Sequence, residues 1–129
     1  MKQKRTATVA VLVILAVFFV GNLCFLTQYP FVHSDEPWLA GLTRNMMEQG
    51  SLGVTETFFD LKPRYPHAVK SIFHLLQMPL IALFGYGAFS VRLLSLLGGT
   101  TALWLFYCVA QKLCNSKWNA VLCLSLIHI

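Results

Sequence analysis

Twenty consecutive residues without a charge, "TVAVLVILAVFFVGNLCFLT" at 8–27, constrain this chain more than anything else in it. A helix of that length rises about 30 Å, which matches the hydrocarbon thickness of a bilayer. The run exceeds the roughly 7–15 apolar residues of a signal peptide, and no small-x-small cleavage site follows it. Ahead of it stands "MKQKR", whose three basic residues favour the cytoplasmic side. Residues 1–7 are therefore expected in the cytoplasm, with 8–27 as a first transmembrane helix running outward.

Composition decides between a buried core helix and a span. Hydrophobic residues make up 57% of the 129 and charged residues 12%, against about 45–50% and about 25% in ordinary soluble domains. All five acids (Asp35, Glu36, Glu48, Glu56 and Asp60) fall between residues 35 and 60. The formal charge of +5 comes from short basic clusters beside apolar segments. That is the pattern of membrane topology, not of a nucleic-acid surface. The four cysteines show no CxxC or Cys/His zinc spacing, so they are read as packing residues.

Residues 28–87 hold the polar part of the chain and are expected outside the cytoplasm. "SDEPW" reads as a helix start, with Ser34 or Asp35 as cap and Pro37 near the first helical position. Gly50 supplies a stop, giving a juxtamembrane helix over 37–49. Trp38, Leu42 and Met46 recur every four residues, a stripe suited to a helix lying in the membrane interface. The acids at its N-terminus are favoured by the helix dipole, and helix capping alone would account for them. "LKPRYPHAVK" (61–70) has two prolines and reads as an irregular loop, with Lys62, Arg64 and Lys70 as cations. Its alternative reading is a patch touching anionic headgroups.

The next apolar segment, 72–84, is interrupted by Pro79 and carries His74 and Gln77. At about 20 Å it is too short to cross, so a second interfacial or re-entrant helix is predicted there. A second transmembrane helix is predicted over 88–111, with Gly98 and Gly99 admitting a close helical neighbour. If 72–84 does not cross, this helix runs inward and delivers Lys112 and Lys117 to a cytoplasmic loop at 112–118. A third span then begins at 119–129 and is too short, so a truncated product whose last residues are not native is expected. The fold class is all-α integral membrane, truncated, with transmembrane helices and juxtamembrane helices in the first extracytoplasmic loop.

The order of these features carries a resemblance. A first span, Asp-Glu opening a juxtamembrane helix, a loop with Lys62-Pro63, and then "LFGYGAFSVRLLSLLGG" (83–99) is similar to the N-terminal part of polytopic glycosyltransferases with the C-type fold. It most resembles the lipid A aminoarabinose transferases and the protein O-mannosyltransferases. The likeness covers roughly residues 8–112, and Arg64 stands where the family carries a second proline.

The resemblance implies transfer of a sugar from a polyprenyl-phosphate donor to a lipid, protein or polysaccharide acceptor. The setting it implies is the outer side of a bacterial cytoplasmic (inner) membrane. Asp35 would then be the catalytic carboxylate, with Glu36 as second choice. Lys62, joined by Arg64, would bind the donor phosphate, and a divalent metal could be held by Asp35, Glu36 and His33. Arg92 matches a family arginine, while a boundary residue snorkelling to water is the other reading. The partners expected are the lipid-linked donor and membrane lipid, with no nucleic acid. A different class remains open: a small non-enzymatic membrane subunit whose basic loop binds anionic lipid.

Overall fold

The computed structural model describes residues 2–32, 35–54 and 71–128, and all regular structure among them is helical. Five helices follow in order: α1 Lys2–Phe25, α2 Asp35–Gln49, α3 Ser71–Phe84, α4 Ala88–Cys114 and α5 Lys117–His128. Two of them, α1 from Thr6 to Phe25 and α4, are long and apolar enough to cross a membrane. The chain divides into two compact units, one of residues 1–25 and 95–129, the other of residues 26–94.

The first unit is built on a stripe of small and branched residues along α1. Ala7, Val11 and Leu15 recur every four residues and are buried with Tyr107 and Ala110 of α4 and Ala120, Val121 and Leu124 of α5. That spacing is one helical face. The remaining faces of α1 are equally apolar yet exposed, with Val9, Leu12, Val13, Val17 and Val20 all outward. A helix that is apolar all round belongs in an apolar surrounding.

Direction follows from two contacts. The ring of Phe18 lies 3.9 Å from where a Cβ on Gly99 would sit, and Lys117 Nζ donates to Thr8 Oγ1 at 3.4 Å. From Gly99 to its end, α4 therefore runs from the Phe18 level of α1 toward the Thr8 level. The two helices are antiparallel, and α5 starts back alongside α1. The expected close approach at the paired glycines is only partly realised: a Cβ on Gly98 would meet nothing within 4 Å, and one on Gly99 would meet a flexible ring, not backbone.

The second unit packs α2 on α3. Asp35 and Glu36 occupy the first turn of α2, and Gly50, at φ 62°, ends it in the left-handed region that suits glycine. Leu42 and Met46 are buried with Val54, and Trp38 and Met78 pack against them. This corrects the expectation that the Trp38, Leu42 and Met46 stripe lies on the membrane interface. It is the inner face of α2. A four-residue apolar repeat specifies a buried face without specifying what buries it.

Polar atoms hold the two helices in register. Thr43 of α2 is fully buried, as are His74 and Gln77 of α3. Thr43 Oγ1 lies 2.8 Å from His74 Nδ1 and donates to Gln77 Oε1. Gln77 Nε2 is turned to Val91 O at 3.4 Å, which leaves Oε1 as the acceptor for Thr43. The same hydroxyl also lies 3.0 Å from Leu39 O, so its one proton has two acceptors within reach, and Thr43 Oγ1 is the point at which both polar side chains of α3 meet α2.

Removing that hydroxyl takes one hydrogen-bond contact from each of two buried side chains. Thr43→Val, nearly the same shape, is expected to destabilise the protein by about 2 kcal/mol, while Thr43→Ser stays close to wild type. Thermal unfolding of the purified protein in detergent checks both, and a Val variant as stable as wild type would remove the network from the stability of this unit.

Candidate functional site

The segment "LFGYGAFSVR" (83–92) makes a corner, and each of its residue types has a task there. Gly85, at φ 80°, takes a conformation that residues with a Cβ rarely adopt, and so ends α3. Its N–H closes the last turn on Ile81 O at 2.9 Å. Ser90 Oγ reaches back to Gly85 O at 2.6 Å and to Gly87 O at 3.0 Å, tying the turn to the head of α4. Phe84 and Phe89 meet edge to face across it, 5.5 Å between centroids. Tyr86 lies beneath the guanidinium of Arg44, 5.4 Å from its ring centre, and Arg44 also pairs with Glu48 at 2.7 Å.

Arg92, one turn into α4, meets Glu36. Its Nε donates to Oε1 and its Nη2 to Oε2 at 2.8 Å, a two-pronged grip that matches the planar carboxylate. The third prong, Nη1, donates to Leu26 O at 2.9 Å. Arg92 is 8% exposed. The snorkelling reading of Arg92 is therefore corrected: the guanidinium turns inward onto a carboxylate and a carbonyl.

A hollow of about 180 Å³ adjoins this pair. Among the described residues Glu36 is the charged one in its wall, with Val32, Pro37, Ala40, Tyr86, Gly87, Ala88 and Val91 around it. Asp35 is exposed at the very start of α2 and does not line it. The adjacent acids thus have different surroundings. Glu36 faces the hollow with both oxygens engaged by Arg92, whereas Asp35 faces outward at the positive end of the helix dipole.

Three of the residues singled out from the sequence, His33, Lys62 and Arg64, lie outside the described residues. Among the described residues no three His, Cys, Asp or Glu side chains come together as a metal site. The structure brings Glu36 to Arg92, 56 positions apart, a pairing that sequence spacing does not reveal. The one available signal is that Arg92 interrupts an apolar helix, and an arginine there needs a partner. No family model, no curated protein and no solved structure matches this chain.

Cutting the arginine takes a two-pronged partner away from a half-buried carboxylate. Arg92→Ala is expected to cost about 3 kcal/mol, and Arg92→Lys to recover only part because a lysine cannot grip both oxygens. Replacing both partners, Glu36→Gln with Arg92→Met, is expected to return most of the loss. A double-mutant cycle on unfolding midpoints measures the coupling, and additive single effects would show that the pair contributes nothing.

Proposed function

We propose that this chain carries the first outer loop of a membrane glycosyltransferase, which moves a sugar from a polyprenyl-phosphate donor to an acceptor hydroxyl. The observation that carries the reading is the Glu36–Arg92 grip. It anchors the acidic N-terminus of α2 to the head of α4, a helix long and apolar enough to cross a membrane. The residues involved lie within the segments whose order resembles the C-type-fold enzymes.

The membrane arrangement is part of the proposal. With α1 and α4 antiparallel, Phe25 and Ser95 lie at the same end of their unit. The intervening residues then leave and re-enter on one side of the bilayer. Helix α3, at 14 residues and about 21 Å, does not cross. The three basic residues at the start of α1, Lys2, Lys4 and Arg5, favour the cytoplasm for that end and so the exterior for the other.

The chemistry follows from the bond that breaks. The acceptor oxygen attacks the anomeric carbon, and the bond from that carbon to the phosphate oxygen opens. The electron pair leaves on a phosphate, which is stable as an anion and needs no general acid. The acceptor hydroxyl must lose its proton, which calls for a free carboxylate within reach. Asp35 is that group in this reading. Glu36, with both oxygens on Arg92, is its positioning neighbour. Lys62 and Arg64 would meet the charge that grows on the phosphate.

Asp35→Asn in the full-length protein is expected to lower transfer from a radiolabelled polyprenyl-phosphate sugar by about 10²–10⁴-fold. Membrane insertion should be unchanged, and Glu48→Gln should stay near wild type. Unchanged turnover in Asp35→Asn would remove Asp35 from the mechanism. Lipid binding without any transfer by the wild-type protein would favour the non-enzymatic subunit.

A further inference from the structure

Helix α3 is built inside out. Its fully buried side chains include His74 and Gln77, while its outward side chains are Ile72, Leu75, Leu76, Leu83 and Phe84. Ile72 and Leu83 are each 77% exposed. The outward positions 72, 75, 76, 79 and 83 follow the three-and-four spacing of one helical face, and that face carries no charge and no side-chain hydrogen-bonding group.

Its neighbour α2 is arranged the other way. The outward residues of α2 include Asp35, Arg44, Glu48 and Gln49, and its apolar stripe is turned onto α3. The unit of residues 26–94 therefore has a charged outer surface on α2 and a dry outer surface on α3. A soluble unit would gain by the reverse arrangement of α3, since several large aliphatic side chains are left in the solvent while two polar ones are buried.

We propose that α3 lies along the outer membrane interface with Ile72, Leu75, Leu76 and Leu83 in the hydrocarbon, and that α2 rides over it on the water side. This rests on the membrane reading above and assigns the lipid contact to α3 instead of α2. Three observations select lipid chains as the occupant. The face is apolar throughout, so nothing on it asks for a directional partner. At 14 residues α3 is too short to cross but suited to lie flat. It also passes through a three-residue turn, 85–87, directly into α4, a candidate span. His74 Nδ1 and the Gln77 amide, polar groups an interfacial helix cannot leave in hydrocarbon, are turned inward onto Thr43 and Val91.

The test uses the full chain with its four native cysteines changed to serine, reconstituted in phosphatidylethanolamine–phosphatidylglycerol vesicles. Single cysteines at exposed positions then carry an environment-sensitive fluorophore. For Leu76→Cys and Leu83→Cys the expected result is blue-shifted emission, quenching by brominated acyl chains and loss of quenching by aqueous iodide. For Arg44→Cys and Glu48→Cys the expected result is the opposite. Iodide quenching at Leu76→Cys equal to that at Glu48→Cys would overturn the proposal. So would protection from both quenchers, which would mean that another protein segment covers the face. Alkaline carbonate extraction separates the two levels: a protein released from the vesicles overturns the membrane reading itself. Retention with a wet α3 overturns only the assignment of its outer face.

Discussion

A guanidinium cannot be turned into the interior of a helical unit unless its charge and its donors are met. At Arg92 they are met by two carboxylate oxygens and one carbonyl. Desolvating such a pair is unfavourable, and only good geometry and further hydrogen bonds offset the cost. The grip therefore does more to specify an arrangement than to stabilise it. It holds the first turn of α2, the first turns of α4 and the chain leaving α1 at Leu26 to one point. The hollow beside Glu36 lies between the first turns of α2, the 86–88 corner with the head of α4, and Val32.

The corner that presents Arg92 is equally determined. A left-handed residue at Gly85 lets α3 stop, Ser90 Oγ donates to carbonyls of the turn, and Phe84 and Phe89 meet edge to face across it. Arg92 lies two residues after Ser90, about 200° further around the helix, so the side chain that seals the turn and the side chain that grips Glu36 point different ways. The 83–92 segment is thus a structural device first. Its glycine, serine, aromatic and arginine positions are those that place α2 against α4 within the unit.

Much of this was legible in the sequence, for definite reasons. Charge-free length marks α1 and α4, because only a span or a core helix tolerates such a run. Gly50 and Gly85 mark helix ends, because the chain needs a left-handed residue there. Pro79 and the short apolar run already mark α3 as shorter than α1 and α4, and it is. What stayed hidden is the identity of partners. The Trp38, Leu42 and Met46 stripe looks the same whether lipid or α3 covers it, and it is α3. His74 and Gln77 read as blemishes in an apolar helix until Thr43, 31 and 34 positions earlier, is brought against them. The acid that Arg92 meets is likewise set by the fold, not by local spacing.

The adjacency of Asp35 and Glu36 has its explanation in helix geometry. Consecutive residues in an α-helix point about 100° apart, so two neighbouring acids cannot share one environment. Glu36 turns onto Arg92 and fastens the helix; Asp35 is left outward at the same helix end. An acid in either position alone could do only one of these things. If Glu36 were absent, Arg92 would have no carboxylate and the N-terminus of α2 would lose its anchor. If Asp35 were absent, the anchored helix would present no free carboxylate at its tip. The inside-out α3 completes the logic. With the apolar outer face on α3, the outer side of α2 is left for charge, so that one carboxylate can stand exposed while its neighbour is held by an arginine.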